Sequence, residues 1–474
     1  MGQSCRAMSN DVLTNQARAE TDRESRLPEV WASAAAQKLP RYTSYPTARA
    51  FAPMDDRGRS EFDATLGRDR PDHRLSAYVH VPFCQRLCWY CGCHTSVVHD
   101  YARVAAFHRT ILKEVDLWAD RLGEHAGLAH LHFGGGSPNA LAPEDLIQLI
   151  DRLSDRLSLR PGAEVAVELD PALMSTDFAQ AAGAAGVTRA SLGVQTFDPD
   201  VQALINRVQP YERVAQAVSD LRAAGVSAIN FDLMYGLPGQ SPDIVADTAE
   251  QALTLRPDRL AVFGYAHVPW MKKHQAMIRD RDLADVAARW EQAAAMDAVL
   301  VEAGYVRIGL DHYARPDDAL ALAARGGYLR RNFQGYTDDP ADVLVPVGPS
   351  SIGRFEGGYV QNAVAQNVWR DAMADGRLPV GRQLVLSAGD RLRADIIERL
   401  MCDLQVDVGA ICQSHGLDGR ALDAELANVV ALSRLGLCEV QDRVLRVPEP
   451  ARRLMRVVAA CFDADTDLQG AVAV

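Results

Sequence analysis

The sequence predicts an α/β protein: a partial (β/α)6 barrel of TIM-like type, followed by a small, mostly helical C-terminal domain. Three observations lead there. Six short β-rich runs between Ser76 and Phe263 are each followed by a helical pattern, the signature of parallel strands joined by right-handed crossovers. Each run ends in a polar or glycine-rich segment. After about residue 385 the rhythm gives way to two amphipathic helical patterns and a short β-like piece.

Taken in order, residues 1 to 38 are polar and Ala-rich with weak periodicity, which predicts a flexible or loosely docked arm. Leu39 to Thr47, LPRYTSYPT, is aromatic and punctuated by proline, and reads as an extended strap. The predicted strands are Ser76–Val81, Leu128–Phe133, Glu164–Leu169, Arg189–Val194, Ala228–Leu233 and Arg259–Phe263. Pro143 to Leu159 is the clearest helix, with proline in its first turn and an apolar stripe through Leu146, Leu149, Ile150, Leu153 and Leu157. Glu212–Ala224 and Trp290–Ala303 are similar, closed by Gly225 and Gly304. Arg391–Leu404, Leu422–Leu435 and the β-like Cys438–Val447 predict a winged-helix shape; without a basic stripe its expected role is packing or substrate cover rather than DNA binding. The expected division is an N-terminal extension and strap over 1–50, a catalytic barrel with covering loops over 51–384, and a winged-helix-like cap over 385–474.

Composition narrows the function. With 474 residues, 48% apolar and 24% charged, the chain is a globular protein able to fill a large core in two or three domains. No apolar run is long enough to span a membrane. A net charge of −12 argues against nonspecific binding to nucleic acid or anionic lipid, but not against a small anionic substrate met by local arginines. Five of the nine cysteines, Cys5, Cys402, Cys412, Cys438 and Cys461, are scattered, which fits buried apolar residues better than disulfides.

The other four carry the chemistry. Cys84, Cys88 and Cys91 stand in CysXXXCysXXCys spacing, with Cys93 directly after. Three thiolates on one loop can hold three irons of a four-iron cluster and leave the fourth open to a non-protein ligand. A zinc site would show two separated pairs of ligands, and only His94 stands beside this loop. Thiolate clusters call for a reducing compartment, so the expected location is the cytoplasm. Further polar groups close the other runs: GGGSP (Gly134 to Pro138), Glu168 and Asp170, Gln195, Asp232, then Ala266 and His267. In parallel α/β folds such strand ends share one face, where sites gather. Taken singly, each is an ordinary solvated turn or carboxylate. His132, His267 and His312 alone fit internal hydrogen bonding, and Arg207 alone fits a surface arginine.

Together the motifs resemble the radical S-adenosylmethionine enzymes. More narrowly, PRYTSYPT, YVHVPFC, LHFGGGSP, LGVQTF, NFDLMYGLP, YAHVP and RNFQGYT resemble the oxygen-independent coproporphyrinogen III oxidases, from about Leu39 to Phe462. The resemblance implies one 4Fe–4S cluster on Cys84, Cys88 and Cys91 and two molecules of S-adenosylmethionine. It places the first near Tyr78, Gly135, Glu168 and Ile352, and the second near Tyr90, Gly136, Ser137, Gln195, Arg207, Asp232 and Ala266. It implies catalytic roles for Tyr78, Cys93, Glu168, Phe333 and Gln334, with Cys93 not a cluster ligand. The implied reaction converts two propionates of coproporphyrinogen III to vinyl groups, giving protoporphyrinogen IX, with electrons from a flavodoxin- or ferredoxin-type donor. A monomer is expected. Ser137 and Tyr90 stand where the family usually has threonine and phenylalanine, and both keep the hydroxyl or the ring. Four carboxylates on the substrate call for cationic anchors, for which Arg41, Arg330 and Arg331 are candidates. The nearest alternative is a heme chaperone of the same superfamily, whose members typically lack Cys93 and the RNFQGYT loop. A zinc-stabilised winged-helix nucleic-acid protein is the more distant one.

Overall fold

The structure, a computed structural model, describes residues 26–465 and 471–472. Each of the six expected strands forms: β1 Leu75–Val81, β2 Leu128–Gly135, β3 Leu159–Leu169, β4 Arg189–Gln195, β5 Ala228–Tyr235 and β6 Arg259–Gly264. They alternate with α1 Tyr101–Ala119, α2 Pro143–Leu157, α3 Thr176–Ala184, α4 Tyr211–Ala223, α5 Pro242–Thr254 and α6 Val286–Glu302. β1 to β6 pair parallel in sequence order. β1 is buried at all but Tyr78, as a strand covered on both faces must be.

The helices follow their sequence signals. The α2 stripe, Leu146 to Leu157, is buried, and truncating one such leucine costs about 2–5 kcal/mol. Gly225 and Gly304 end α4 and α6 at φ +88°. α6 begins four residues ahead of the expected Trp290, because the Asp285 side chain caps it by accepting from the Ala288 N–H.

A seventh parallel strand, β7 Val343–Val347, pairs with the other side of β1. The sequence reading lacks it, since Pro346 in VLVPV argues against an interior strand. β8 Ile352–Phe355, β9 Gly358–Asn362 and β10 Val380–Val385 then extend the sheet antiparallel, and with Ala52–Pro53, Val306–Ile308 and His312–Ala314 it has thirteen strands. Among the described residues its two edges do not pair with each other, so the barrel is partial.

The chain then forms α7 Ala388–Asp403, β11 Gln405–Asp407, α8 Val408–Ser414, α9 Asp423–Ser433, β12 Glu439–Gln441 and β13 Val444–Arg446, with β13 between the other two strands. α7 starts at a reciprocal cap between Ser387 and Asp390. These elements share one apolar core with the N-terminal strap: Trp31, Leu39, Tyr42 and Tyr45 pack with Leu400, Val429, Met455 and Phe462. The expected loose arm is therefore corrected for residues 26–38. Trp31 is buried against Trp290, rings 6.0 Å apart, and its indole N–H donates to the Leu435 carbonyl at 2.7 Å. Periodicity could not show this, because the contacts come from the far end of the sequence. The same expectation for residues 1–25 falls outside the described residues. Among the described residues no helix is long and apolar enough to cross a membrane.

Candidate active site

β1 delivers the chain through Pro82 into the cysteine loop. The loop closes on itself: the Ser96 N–H donates to Pro82 O at 2.8 Å and the Val98 N–H to Cys84 O at 2.9 Å. It is also pinned from outside. The Trp89 N–H donates to Ile205 O at 2.9 Å, and the side chains of Asn206 and Gln275 donate to Leu87 O and Tyr90 O, each at 2.8 Å. The loop is thus preorganised by residues more than a hundred positions away.

Each of the three candidate sulfurs accepts at least one hydrogen bond. Thr95 Oγ1 donates to Cys84 Sγ at 3.0 Å, Arg207 Nη1 to Cys88 Sγ at 3.4 Å, and the Cys93 N–H to Cys91 Sγ at 3.4 Å. Such donors stabilise negative sulfur and tune a metal cluster. The Cys91 thiol is drawn down to about 6, first by the Cys93 thiol that donates to it, against the opposing effect of burial. Burial pushes Cys84 up to about 11, with Thr95 opposing. Cys93 is held as a thiol well above its ordinary range by its bond to Cys91. Among the described residues no three His, Cys, Asp or Glu side chains converge on a single metal ion. Three hydrogen-bonded sulfurs on one loop are the donor set that a 4Fe–4S cluster takes.

Glu168, at the end of β3, faces this loop. His132 Nε2 donates to it at 2.9 Å, and the Gly135 N–H reaches it at 3.4 Å. Burial opposes ionisation, but these donors and the neighbouring imidazoles outweigh it, so the carboxyl sits below its ordinary range. Tyr78 stacks on His132 with centroids 5.8 Å apart, and its hydroxyl lies 3.2 Å from His80 Nδ1. The glycine run is required by packing. A Cβ at Gly134 would meet the Glu168 carboxylate at 2.7 Å, and one at Gly136 the Phe83 carbonyl at 2.6 Å. The N–H groups of Gly136 and Ser137 already donate to Val81 O and Phe83 O.

Asp232, on β5, has the opposite tendency. It accepts from Ser191 Oγ at 3.1 Å and Asn230 Nδ2 at 3.0 Å, yet burial and the charge of Glu168 push it up to about 7. Glu168, Asp232 and Gln334 line one cavity of ≈ 220 Å³ with His132, His312 and Asn332. Arg207 is buried, donates to Gly193 O at 2.7 Å and lies 3.4 Å from Asp170. Gln195 is buried at the end of β4, and the Ser137 hydroxyl donates to Asn139. Tyr90, Ala266 and Ile352 stand half-buried on the cysteine loop, after β6 and at the start of β8.

The two other histidines make the internal hydrogen bonds expected of them. His267 bonds to Tyr265 and Asp280, and His312 to Asp311. Phe333 packs edge-on against Phe51 and Tyr359 rather than lining the cavity. Arg330 is exposed and paired with Glu398 at 3.0 Å. Arg331 is buried, donates to the strap carbonyls of Tyr42 and Arg41, and stacks 4.2 Å above Tyr336. Arg41 remains: it is exposed over the Phe263 ring and donates to Gly264 O at 3.0 Å. His80, Lys272, His274 and Gln275 were missed, because nothing local in the sequence links them to the cysteines; Thr95, two residues past Cys93, was within reach of a local reading.

A hydrogen-bonded trio of cysteines at the end of the first strand of a parallel α/β array defines a radical S-adenosylmethionine protein, and residues 78–252 match the Radical SAM superfamily. A curated relative from Bradyrhizobium diazoefficiens, an oxygen-independent coproporphyrinogen III oxidase, is 46% identical over 431 residues, covering 91% of this chain and 95% of its own. One of the same name from Escherichia coli K12 is 35% identical, covering 90% and 92%. The solved coproporphyrinogen III oxidase of Escherichia coli, described as a radical SAM enzyme, superposes with a TM-score of 0.84 at 34% identity, over 90% of this chain and all of that one. The chain belongs to the oxygen-independent coproporphyrinogen III oxidases.

Proposed function

We propose that the chain performs its family's reaction with a cluster held by Cys84, Cys88 and Cys91 and two molecules of S-adenosylmethionine. The reaction is the oxidative decarboxylation of two propionates of coproporphyrinogen III to vinyl groups, a step of heme biosynthesis. When bound, the cluster and S-adenosylmethionine would supply the one-electron chemistry that removes a hydrogen from a propionate β-carbon, after which loss of carbon dioxide and of one electron to an acceptor leaves the vinyl group.

The protein's own part is positional and electrostatic. Thr95, Arg207 and the Cys93 N–H stabilise charge on the three sulfurs. Glu168 offers a preformed carboxylate to an ammonium or ribose hydroxyl beside Tyr78, Gly135 and Ile352. Asp232, poised near neutrality, gains a full charge when a cation arrives in the second site with Tyr90, Gly136, Ser137, Gln195, Arg207 and Ala266. Arg41 meets a substrate carboxylate at the barrel mouth, and the strap around it limits water. Cys93 and Gln334 stand within reach of bound substrate. A one-electron carrier of flavodoxin or ferredoxin type serves as donor, in the cytoplasm.

The observation that carries this reading is a donor aimed at each of three sulfurs. Its test is anaerobic cluster reconstitution followed by incubation with coproporphyrinogen III, S-adenosylmethionine and a reductant. Carbon dioxide and vinyl product are expected, and Arg41→Ala should raise the substrate KM; iron-loaded protein that forms neither product refutes the assignment.

A further inference from the structure

The segment from His267 to Leu283 lies on the outside of the cysteine loop and is bonded to it three times. His274 and Gln275 reach Cys91 O and Tyr90 O, each at 2.8 Å, and Lys272 Nζ donates to Cys93 O at 3.0 Å. The outer side of the same segment carries Trp270, Met271 and Met277, 64%, 69% and 61% exposed. One exposed apolar residue is ordinary; three large ones on one short loop mark an interaction surface. Lys273 is exposed beside them, and Lys38 Nζ sits 5.6 Å over the Trp270 ring. Among the described residues neither Lys272 nor Lys273 forms an ion pair, whereas Arg279 and Arg281 are paired with Asp282, and Asp280 with His267. A local positive field thus stands on a chain whose net charge is −12.

We infer that this face is where an acidic one-electron carrier protein docks to reduce the cluster. The inference rests on the cluster being held by Cys84, Cys88 and Cys91. An acidic partner is repelled by most of this molecule and attracted here, which steers it to a loop bonded directly to the backbone of Cys91 and Cys93. Trp270, Met271 and Met277 supply an apolar centre, and the lysines a charged rim. In the step itself the carrier loses one electron, the cluster gains it, and no bond or proton moves.

The test uses cluster-loaded protein, a reduced flavodoxin as carrier, and dithionite as a small reductant that needs no docking. Met271→Glu combined with Lys273→Glu is expected to weaken carrier binding about tenfold, measured by calorimetry, and to flatten its salt dependence. Bleaching of the cluster by dithionite should proceed at the parental rate. Lys273→Gln alone should shift carrier affinity in the same direction by less. Unchanged carrier affinity in the double variant overturns the proposal. So does equal slowing with dithionite, or a parental dimer in sedimentation that the variant lacks, since the face would then join copies of this chain. Failure of the parent to form product with dithionite would instead count against the assigned function.

Discussion

The top of the barrel and the unit formed by the strap with the C-terminal elements both bury charge, and they use it differently. Around the strap, buried guanidinium groups donate to the chain's own backbone. Arg331 donates to the carbonyls of Arg41 and Tyr42, Arg456 to those of Leu39 and Pro40, so two side chains fix four consecutive peptide groups. At the barrel top, charge is left poised. Glu168 and Asp232 line one cavity yet are driven in opposite directions, and Arg207 points a guanidinium at sulfur. Buried charge stabilises structure where its partner is backbone, and serves chemistry where a partner has still to arrive.

The largest effect expected is at the sulfurs. Cys84→Ala, Cys88→Ala or Cys91→Ala should abolish cluster assembly and reduce activity to background, whereas Cys93→Ser should keep its iron; iron analysis after anaerobic reconstitution decides. In the strap unit, Arg331→Ala should cost about 1–3 kcal/mol, because it leaves the carbonyls of Arg41 and Tyr42 without that donor. Denaturant unfolding and proteolysis near residues 38–47 would register that loss, with the cluster content of folded protein unchanged. Equal loss of cluster would dissolve the contrast between the two regions.

A smaller effect concerns pH. Asp232 is neutral below about 7 and anionic above it. Affinity for the cationic S-adenosylmethionine should therefore rise with pH up to about 7, by as much as roughly tenfold per unit, and level off above. Asp232→Asn should flatten that profile, as read by equilibrium binding across pH 6 to 8. Smallest is Tyr42→Phe, which removes the hydroxyl bond to Asp463 at 2.9 Å. It should lower stability by about 1 kcal/mol and leave the kinetics alone, measured by unfolding and by turnover.

The same contrast governs what can be read from the sequence. The six strands and the cysteine loop were legible because apolar runs, capping glycines and thiol spacing are local signals. β7 was hidden by Pro346. The docking of Trp31 was hidden because its partners, Trp290 and Leu435, lie hundreds of residues along the chain. Arg331 stands in a motif beside the site, yet the fold turns it inward toward the strap, while the exposed Arg41 keeps its place at the mouth. The sulfur donor Arg207 and the clamps Lys272, His274 and Gln275 come from separate elements that only the fold brings to one loop.

The most direct measurement is electron paramagnetic resonance of the anaerobically reconstituted, reduced protein with and without S-adenosylmethionine. A four-iron signal that changes when the cofactor is added, and that vanishes in Cys88→Ala, is the expected result. A signal indifferent to the cofactor, or one that survives loss of Cys88, would contradict an open iron held by these three sulfurs.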